Sequence, residues 1–520
     1  MKEFILIQLI IFGYLGFIFV DPIKNNSIMK TILFNFFFFV TTISMFSQTQ
    51  FTQLGSDLDG ENIGDGFGRC VASSIDGSIV AVGAPYNSGN GNNSGHVRVY
   101  EFSNSSWSQL GSDIDGEDSL TFVGGTISLS DGGTILAIGV PNTSDNGNNR
   151  GQVRVYEYSN SSWSQLGGDI DGEDSLDFSG AAVDLSGDGT IVAIGAFNNG
   201  GAGTGSGHVR VYQYSNSSWS QLGSDIDGEN INDASGSSVS LSDDGTIVAI
   251  GAYGNDANGS NSGHVRVYEY SNSSWSQLGS DIDGEAEDDY SGQYISLSAD
   301  GTYLAVGAKW NDGNGDKSGH VRVYEYSNGS WLQLGNDIDG DNSGERFGSS
   351  VSISDSGLKL AVSAPFANLY TGYVKIFGYA NGSWSQIDSI IDGEAQGDFS
   401  GTSISLSNDG ARVVVGSYQN NNNTGHARIF QLSSGIGLDD NSLNSIILSP
   451  NPNSGLFSIK VDQEYIGSSY KILDNLGRLI DKGIIRELSK DLNLSDQPKG
   501  VYRIQVSNEK SVKTLNIVIQ

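Results

Sequence analysis

The chain has 520 residues, 71 of them glycine and only 7 proline, and its 60 acidic against 27 basic side chains leave a formal charge of −33. That balance excludes collagen-like and proline-rich architectures, and it makes nucleic acid or an anionic membrane surface a poor partner. A single cysteine, Cys70, excludes a disulfide framework and a thiolate metal cluster.

Two apolar runs, Phe4 to Val20 and Ile32 to Phe46, open the sequence. The second reads as a secretory signal, with Met29-Lys30 as its short basic start, Ile32 to Val40 as its apolar middle and Ser47-Gln48 closing the cleavage region. Residues 1–48 are therefore expected to be a targeting segment, with Met29 as an alternative start. An anchor over residues 4–20 is the competing reading, marginal in length for a bilayer.

From there the chain repeats. Trp107, Trp163, Trp219, Trp275 and Trp331 stand 56 residues apart, Trp384 follows 53 after the last, and Phe51 holds the same place 56 before the first. A period of that size marks one supersecondary unit stacked many times. In the copy from Ser235, Ser237 to Ser242 alternates as a strand, and Asp243-Asp244-Gly245-Thr246 is a tight turn. Ile247 to Ala252 is an apolar strand, Gly254 to Ser262 a polar loop and His264 to Tyr270 a third strand, and the fourth is expected from Trp275 to about Ile282.

Seven such units predict an all-β fold, a seven-bladed β-propeller over residues 49–434. The first copy, Phe51 to Leu58, is an orphan fourth strand, and the last, Phe399 to Leu432, lacks its fourth. Joining the two closes the ring and removes the exposed edges.

Phe67-Gly68 with Gly83-Ala84-Pro85, Phe347-Gly348 with Ser363-Ala364-Pro365, and in part Phe122 with Gly139-Val140-Pro141, resemble FG-GAP repeats, the blades of integrin-alpha-like propellers. Other copies depart, as at Phe178-Ser179-Gly180 with Gly195-Ala196-Phe197. The family holds calcium in a longer acidic hairpin inside a blade, and here the matching turns, such as Ser186 to Thr190, are too short.

Antiparallel order places the polar loops and the acidic segments on one face, called the top. Those segments carry Asp113, Asp115 and Glu117; Asp169, Asp171 and Glu173; Asp225, Asp227 and Glu229; and Asp281, Asp283 and Glu285. Two readings stay open for them: solvated turns, or calcium sites built from hard oxygen ligands. Calcium is the one cofactor they suggest.

The histidines recur at one position, His96, His208, His264, His320 and His426, with Gln152 and Tyr373 in the remaining copies. Such recurrence points to a structural hydrogen bond rather than catalysis. The recurring arginines, Arg98 to Arg428, are expected to pair with carboxylates. No catalytic triad, Cys-His pair or phosphate-cradling loop is present. Tyr86, Tyr253, Trp310 and Tyr418, at the tips of the variable top loops, are the candidate contacts to a glycan or protein ligand, or else blade-packing residues.

After a linker at 435–445, residues 446–520 read as a second small β domain. Ser449 to Gly455, Asp474 to Arg478, Gly500-Val501-Tyr502 and the last strand from Lys513 closely resemble the type IX secretion C-terminal sorting domain. That resemblance implies an immunoglobulin-like sandwich, recognition by the type IX machinery, and a secreted or outer-membrane-surface destination. The combined expectation is an exported binding or adhesion propeller. The alternatives are an extracellular polysaccharide hydrolase and a structural surface-layer component.

Overall fold

Local chemistry sets each blade. Asn-Ser and Asn-Gly pairs make the tightest hairpins between third and fourth strands, because a two-residue turn matching strand twist needs both residues at positive φ. Asn104 and Ser105 lie at φ 50° and 62°, and Asn328 and Gly329 at 52° and 84°. At the first hairpin, a serine hydroxyl accepts the backbone N–H five residues on, as Ser74 does from Ile79 at 2.9 Å and Ser242 from Ile247 at 3.0 Å. The following Asp closes the turn, Asp244 Oδ1 accepting from the N–H and hydroxyl of Thr246.

The computed structural model describes residues 7–11, 14–18, 50–143, 148–387, 389–433, 446–449, 456–461, 465–473, 478–507 and 512–519. The expected secretory signal from Met29 to Gln48 and the linker at 435–445 lie outside them. Residues Ile7–Ile11 and Tyr14–Ile18 pair antiparallel, within the run that the competing reading takes as an anchor. Among the described residues no helix is long and apolar enough to cross a membrane. The chain divides into two units, Met1–Gly435 and Ile436–Gln520.

The first unit holds seven antiparallel sheets of one plan, each followed below as a blade. In the fourth blade, Ser235–Leu241, Ile247–Ala252, His264–Ser271 and Ser274–Gln277 pair in chain order. The fourth strand is shorter than its sequence suggests. It stops at Gln277, turns at Gly279 (φ 81°), and the chain returns as Ile282–Asp283 to pair with His264 and Val265. The turn is fixed because a Cβ on Gly279 would strike the Trp331 ring.

In the seventh blade the N-terminal strand Gln50–Gln53 pairs with His426–Ser433, with Phe51 opposite Leu432, so the sheet is shared between both ends of the repeat array. Its first strand in turn meets the first blade, where Val71 N–H donates to Ser403 Oγ at 3.1 Å and the Ser73 and Ser405 hydroxyls bond at 2.8 Å. The ring is closed.

Two further devices hold neighbouring blades. On the first strands, a serine in one blade accepts a backbone N–H from the next, Leu185 to Ser128, Leu297 to Ser240, Ile353 to Ser296 and Leu406 to Ser352, each at 3.0–3.1 Å. This explains the Ser-apolar alternation: the apolar residues fill the core between sheets, and the hydroxyls stitch strands too splayed to form a ladder. At the outer edge each periodic tryptophan donates its indole N–H to a leucine carbonyl of the preceding blade. Trp107 bonds Leu54, Trp219 bonds Leu166 and Trp384 bonds Leu334, at 2.7–2.8 Å. The hydrophobic core lies between adjacent sheets, as where Val209 and Val211 of the third blade meet Leu241, Val248 and Ile250 of the fourth.

The second unit is a two-sheet sandwich. Ile446–Ser449, Leu456–Val461 and Ser489–Asn493 form one sheet; Leu479–Ile484, Ser469–Leu473, Gly500–Ser507 and Val512–Ile519 form the other. Phe457, Ile459, Tyr470, Ile472, Tyr502 and Ile504 pack between them. The expected opening at 450–455 and the turn at 474–477 lie outside the described residues.

Candidate functional site

The acidic segments sit where the blades join. The third-strand cation of each blade, buried in all but the fifth, reaches the carboxylate that precedes its blade: Arg98 to Glu61, Arg154 to Glu117 at 2.7 Å, Arg266 to Glu229 at 3.4 Å, Arg322 to Glu285 and Lys375 to Asp341 at 2.6 Å. Arg210 pairs with Glu173 and also bonds the Asp171 carbonyl at 2.8 Å, and Arg266 bonds the Asp227 carbonyl at 2.7 Å. Asp113 and Asp169 turn back to the arginine of their own blade, and Asp113, Asp169, Asp225 and Asp281 each accept from a glutamine at 2.6–2.7 Å. Asp115 and Asp283 pair through their backbones with His96 and His264.

Five histidine–carboxylate groups, such as Glu61–His96–Asp113 and Glu229–His264–Asp281, bring three candidate metal donors within 4.8 Å. The donor set does not suit calcium, which seeks six to eight oxygens. In each of these two the imidazole is sealed and a guanidinium already pairs with a carboxylate, Arg98 with Glu61 and Asp113, and Arg266 with Glu229. The histidines also differ from expectation: Nδ1 stays 3.7–4.0 Å from the nearest carboxylates, and Nε2 of His96, His208, His264 and His426 has no partner among the described residues. Burial first, then the neighbouring arginine, drives His264 and His320 down to about 4, so they are neutral.

The histidine belongs to a unit that varies together. In five blades a buried Asp accepts from an Asn, itself buried in four of them, Asp65 from Asn87 at 3.0 Å and Asp233 from Asn255 at 3.2 Å among them. In the sixth blade the corresponding residues are Glu345, Ala367 and Tyr373, and the tyrosine hydroxyl donates to Glu345 at 2.9 Å. In the second they are Thr121, Thr143 and Gln152. Exchange as a set marks these groups as structural.

The candidate ligand residues are brought together in a way the sequence did not announce. Phe67 and Phe347 are core residues with 0% exposure. Phe122, aligned with them by its motif, is one residue out of register: Val123 takes the core position, and Phe122 occupies the preceding slot. That slot, held by Gly66, Phe122, Phe178, Ala234, Tyr290, Arg346 and Phe399, is left-handed in every blade, with φ of 54–65°. The conformation is held because its N–H bonds a carbonyl in the preceding blade's loop, as Tyr290 bonds Asn261 and Arg346 bonds Lys317.

From this slot the side chains reach the residues that end the second strands. Tyr86 meets Phe122 at 6.0 Å between centroids, and Phe178 stacks on Phe197 at 5.4 Å. From the fourth blade onward the contacts are unbroken: Tyr253 to Tyr290 at 5.8 Å, Tyr290 to Trp310 at 5.8 Å, Trp310 to Arg346 at 4.3 Å and Arg346 to Phe366 at 4.1 Å. Phe366 then meets Phe399 at 5.5 Å, Phe399 meets Tyr418 at 5.9 Å, and Arg69 of the first blade lies 5.2 Å from Tyr418. Tyr86, Tyr253, Trp310 and Tyr418 are thus members of a rim around the top face, not separate loop tips.

The sixth blade adds to this rim. Its short loop carries Asn368, Leu369 and Tyr370 at φ 53°, 59° and 66°, leaving Leu369 69% and Tyr370 50% exposed. Left-handed geometry at leucine and tyrosine costs about 1–2 kcal/mol each, and strain of that kind gathers at functional surfaces. Tyr370 stacks on Phe399 at 5.0 Å.

Comparison with known proteins agrees with this organisation. Residues 448–520 match the secretion system C-terminal sorting domain, and residues 58–100 and 226–268 match the FG-GAP repeat. The chain is an all-β protein of FG-GAP propeller repeats with a type IX sorting tail, and that tail marks it for export to the cell surface or beyond. No curated protein matches it. Among solved structures, a putative 6-phosphogluconolactonase from Bacteroides uniformis shares 12% identity over 63% of this chain and 86% of its own, with a TM-score of 0.45. PorZ, a surface component of the type IX secretion system of Porphyromonas gingivalis, shares 12% over 88% of this chain and 60% of its own, at 0.39. Sqt1 from Chaetomium thermophilum shares 13% over 90% of this chain and the whole of its own, at 0.42. None of the three lends its activity to this chain.

Proposed function

We propose that the exported propeller is a binding protein whose ligand, a glycan, lies on the inner rim of the top face. The observation that carries this reading is the unbroken run of side chains in tilted, edge and cation–ring contact from Tyr253 to Tyr418. Flat aromatic faces held by their neighbours offer contact to the apolar faces of sugar rings at little entropic cost. The strained loop at Leu369 and Tyr370 widens that platform. The acidic segments serve as ion-paired links between blades rather than as calcium sites, and export is directed by residues 446–520.

The test is an oligosaccharide array probed with the full chain and with Trp310→Ala, followed by an assay for new reducing ends. Retention that is lost in the variant, with no cleavage, supports the reading. Cleavage makes the protein a hydrolase, and absence of any glycan retention defeats the proposal.

A further inference from the structure

The sixth blade departs from its siblings at one place on the rim. Four blades put an aromatic ring in the left-handed slot, and two put glycine or alanine there; the sixth puts Arg346. The backbone therefore does not require a cation, and a phenyl ring suffices to bridge neighbours, as Phe399 shows between Phe366 and Tyr418. The Arg346 guanidinium lies between two rings, 4.3 Å from the centroid of Trp310 and 4.1 Å from that of Phe366. Contact on both faces leaves its in-plane N–H donors as the groups available to a ligand.

Those donors make no hydrogen bond or ion pair among the described residues, although the chain carries 60 acidic side chains. Every third-strand cation, by contrast, has found a carboxylate. Lys317, 5.1 Å from Trp310, and Arg69 on Tyr418 put two more cations on the same arc.

We infer that Arg346 is a charge-reading residue: the rim takes a sugar ring bearing one isolated anionic group, a uronate carboxylate or a sulfate ester, which the guanidinium edge binds while Trp310 and Phe366 hold the guanidinium between them. The inference rests on the reading of the rim as a glycan site. The net charge of −33 opposes any densely charged polyanion at long range, so the fit is to a glycan whose charges are sparse.

The experiment is calorimetric titration of the full chain with galactose oligosaccharides carrying a single galacturonate, as the acid and as its methyl ester, and with singly sulfated and desulfated galactose oligosaccharides. Within each pair the change is confined to the anionic group. The expected result is tighter binding of one charged form, by about tenfold or more over its neutral partner. Arg346→Gln and Arg346→Phe, the latter using the ring its sibling blades use, should abolish that preference, charged and neutral forms then binding each variant alike, while the melting curve of Arg346→Phe stays unchanged. Preference for the carboxylate or for the sulfate identifies the source of the charge. Equal binding of charged and neutral forms, or a preference that survives Arg346→Phe, overturns the inference and leaves the glycan reading standing. Loss of all glycan binding, or selective retention of an acidic peptide instead, overturns both.

Discussion

Asp184 offers the sharpest quantitative test of how the ring is built. It stands in the third blade where other blades place the stitching serine, and it does more than serine can: Oδ1 accepts from Ser128 at 2.8 Å, and Oδ2 accepts from the Leu241 N–H at 2.8 Å. Burial outweighs these bonds and raises its carboxyl to about 6 from the usual 3.8. The folded protein therefore keeps this proton between pH 3.8 and 6 while the unfolded chain has lost it, so this group's contribution to stability falls as pH rises through that window. Above pH 6 the full difference is about 3 kcal/mol, from about 1.4 kcal/mol per unit. The side chain is only part-buried, so water reduces this to about 1–2 kcal/mol. Asp184→Ser restores the pattern of the sibling blades and lets a hydroxyl accept from Leu241. Urea unfolding at pH 7.5 should show the variant more stable by about 1–2 kcal/mol, with the gain shrinking toward pH 4. A variant no more stable than its parent at pH 7.5, or a gain of equal size at both pH values, would refute the argument.

The histidines predict the opposite limb. With His264 and His320 driven to about 4, stability is complete above pH 6.5 and is lost as pH falls toward 4; His264→Gln, the choice of the second blade, should flatten that acid limb in pH-dependent melting. Trp219→Phe removes the indole bond to Leu166, and guanidinium unfolding should register a loss of about 1–2 kcal/mol. The junction between the sixth and seventh blades has Phe51 where the other six have tryptophan, and Asp388 where they have the glycine that makes room for its ring; Phe51→Trp together with Asp388→Gly supplies a donor toward the Ile387 carbonyl and should add about 1 kcal/mol in the same assay. Thermal unfolding in calcium and in chelator should coincide, because guanidinium groups already hold the acidic segments; a rise of several degrees with calcium would show that the ion wins them.

What the sequence made legible follows from how far each interaction reaches. Turn chemistry is local, so the Asn-Ser hairpins and the Ser-x-Asp-Gly turns could be read directly. Arginine pairing was legible because both partners repeat, and so was ring closure, from the two incomplete end copies. The tryptophan marked the period, but its role depends on a carbonyl 53 positions earlier across a blade junction. The rim was hidden for a different reason. Its members come from slots that hold glycine, alanine, arginine or a ring, and Phe122 resembles Phe67 in motif while pointing elsewhere by one residue. Only the shared left-handed φ brings them into one set. The histidines are structural, as their recurrence suggests, but the bond expected of them is missing at Nε2 in four blades, because a sealed site can hold a neutral imidazole without giving that nitrogen a partner.

The shared seventh blade also sets an order of events. Gln50 pairs with Ser433, so the last contact to form encloses about 380 residues, and ordering a loop of that size costs about 5 kcal/mol before any contact rewards it. The ring cannot seal until its final repeat and its first strand are both present. Until then the array is a string of sheets with an unpaired edge at each end, and the latch between those ends turns it into one closed unit.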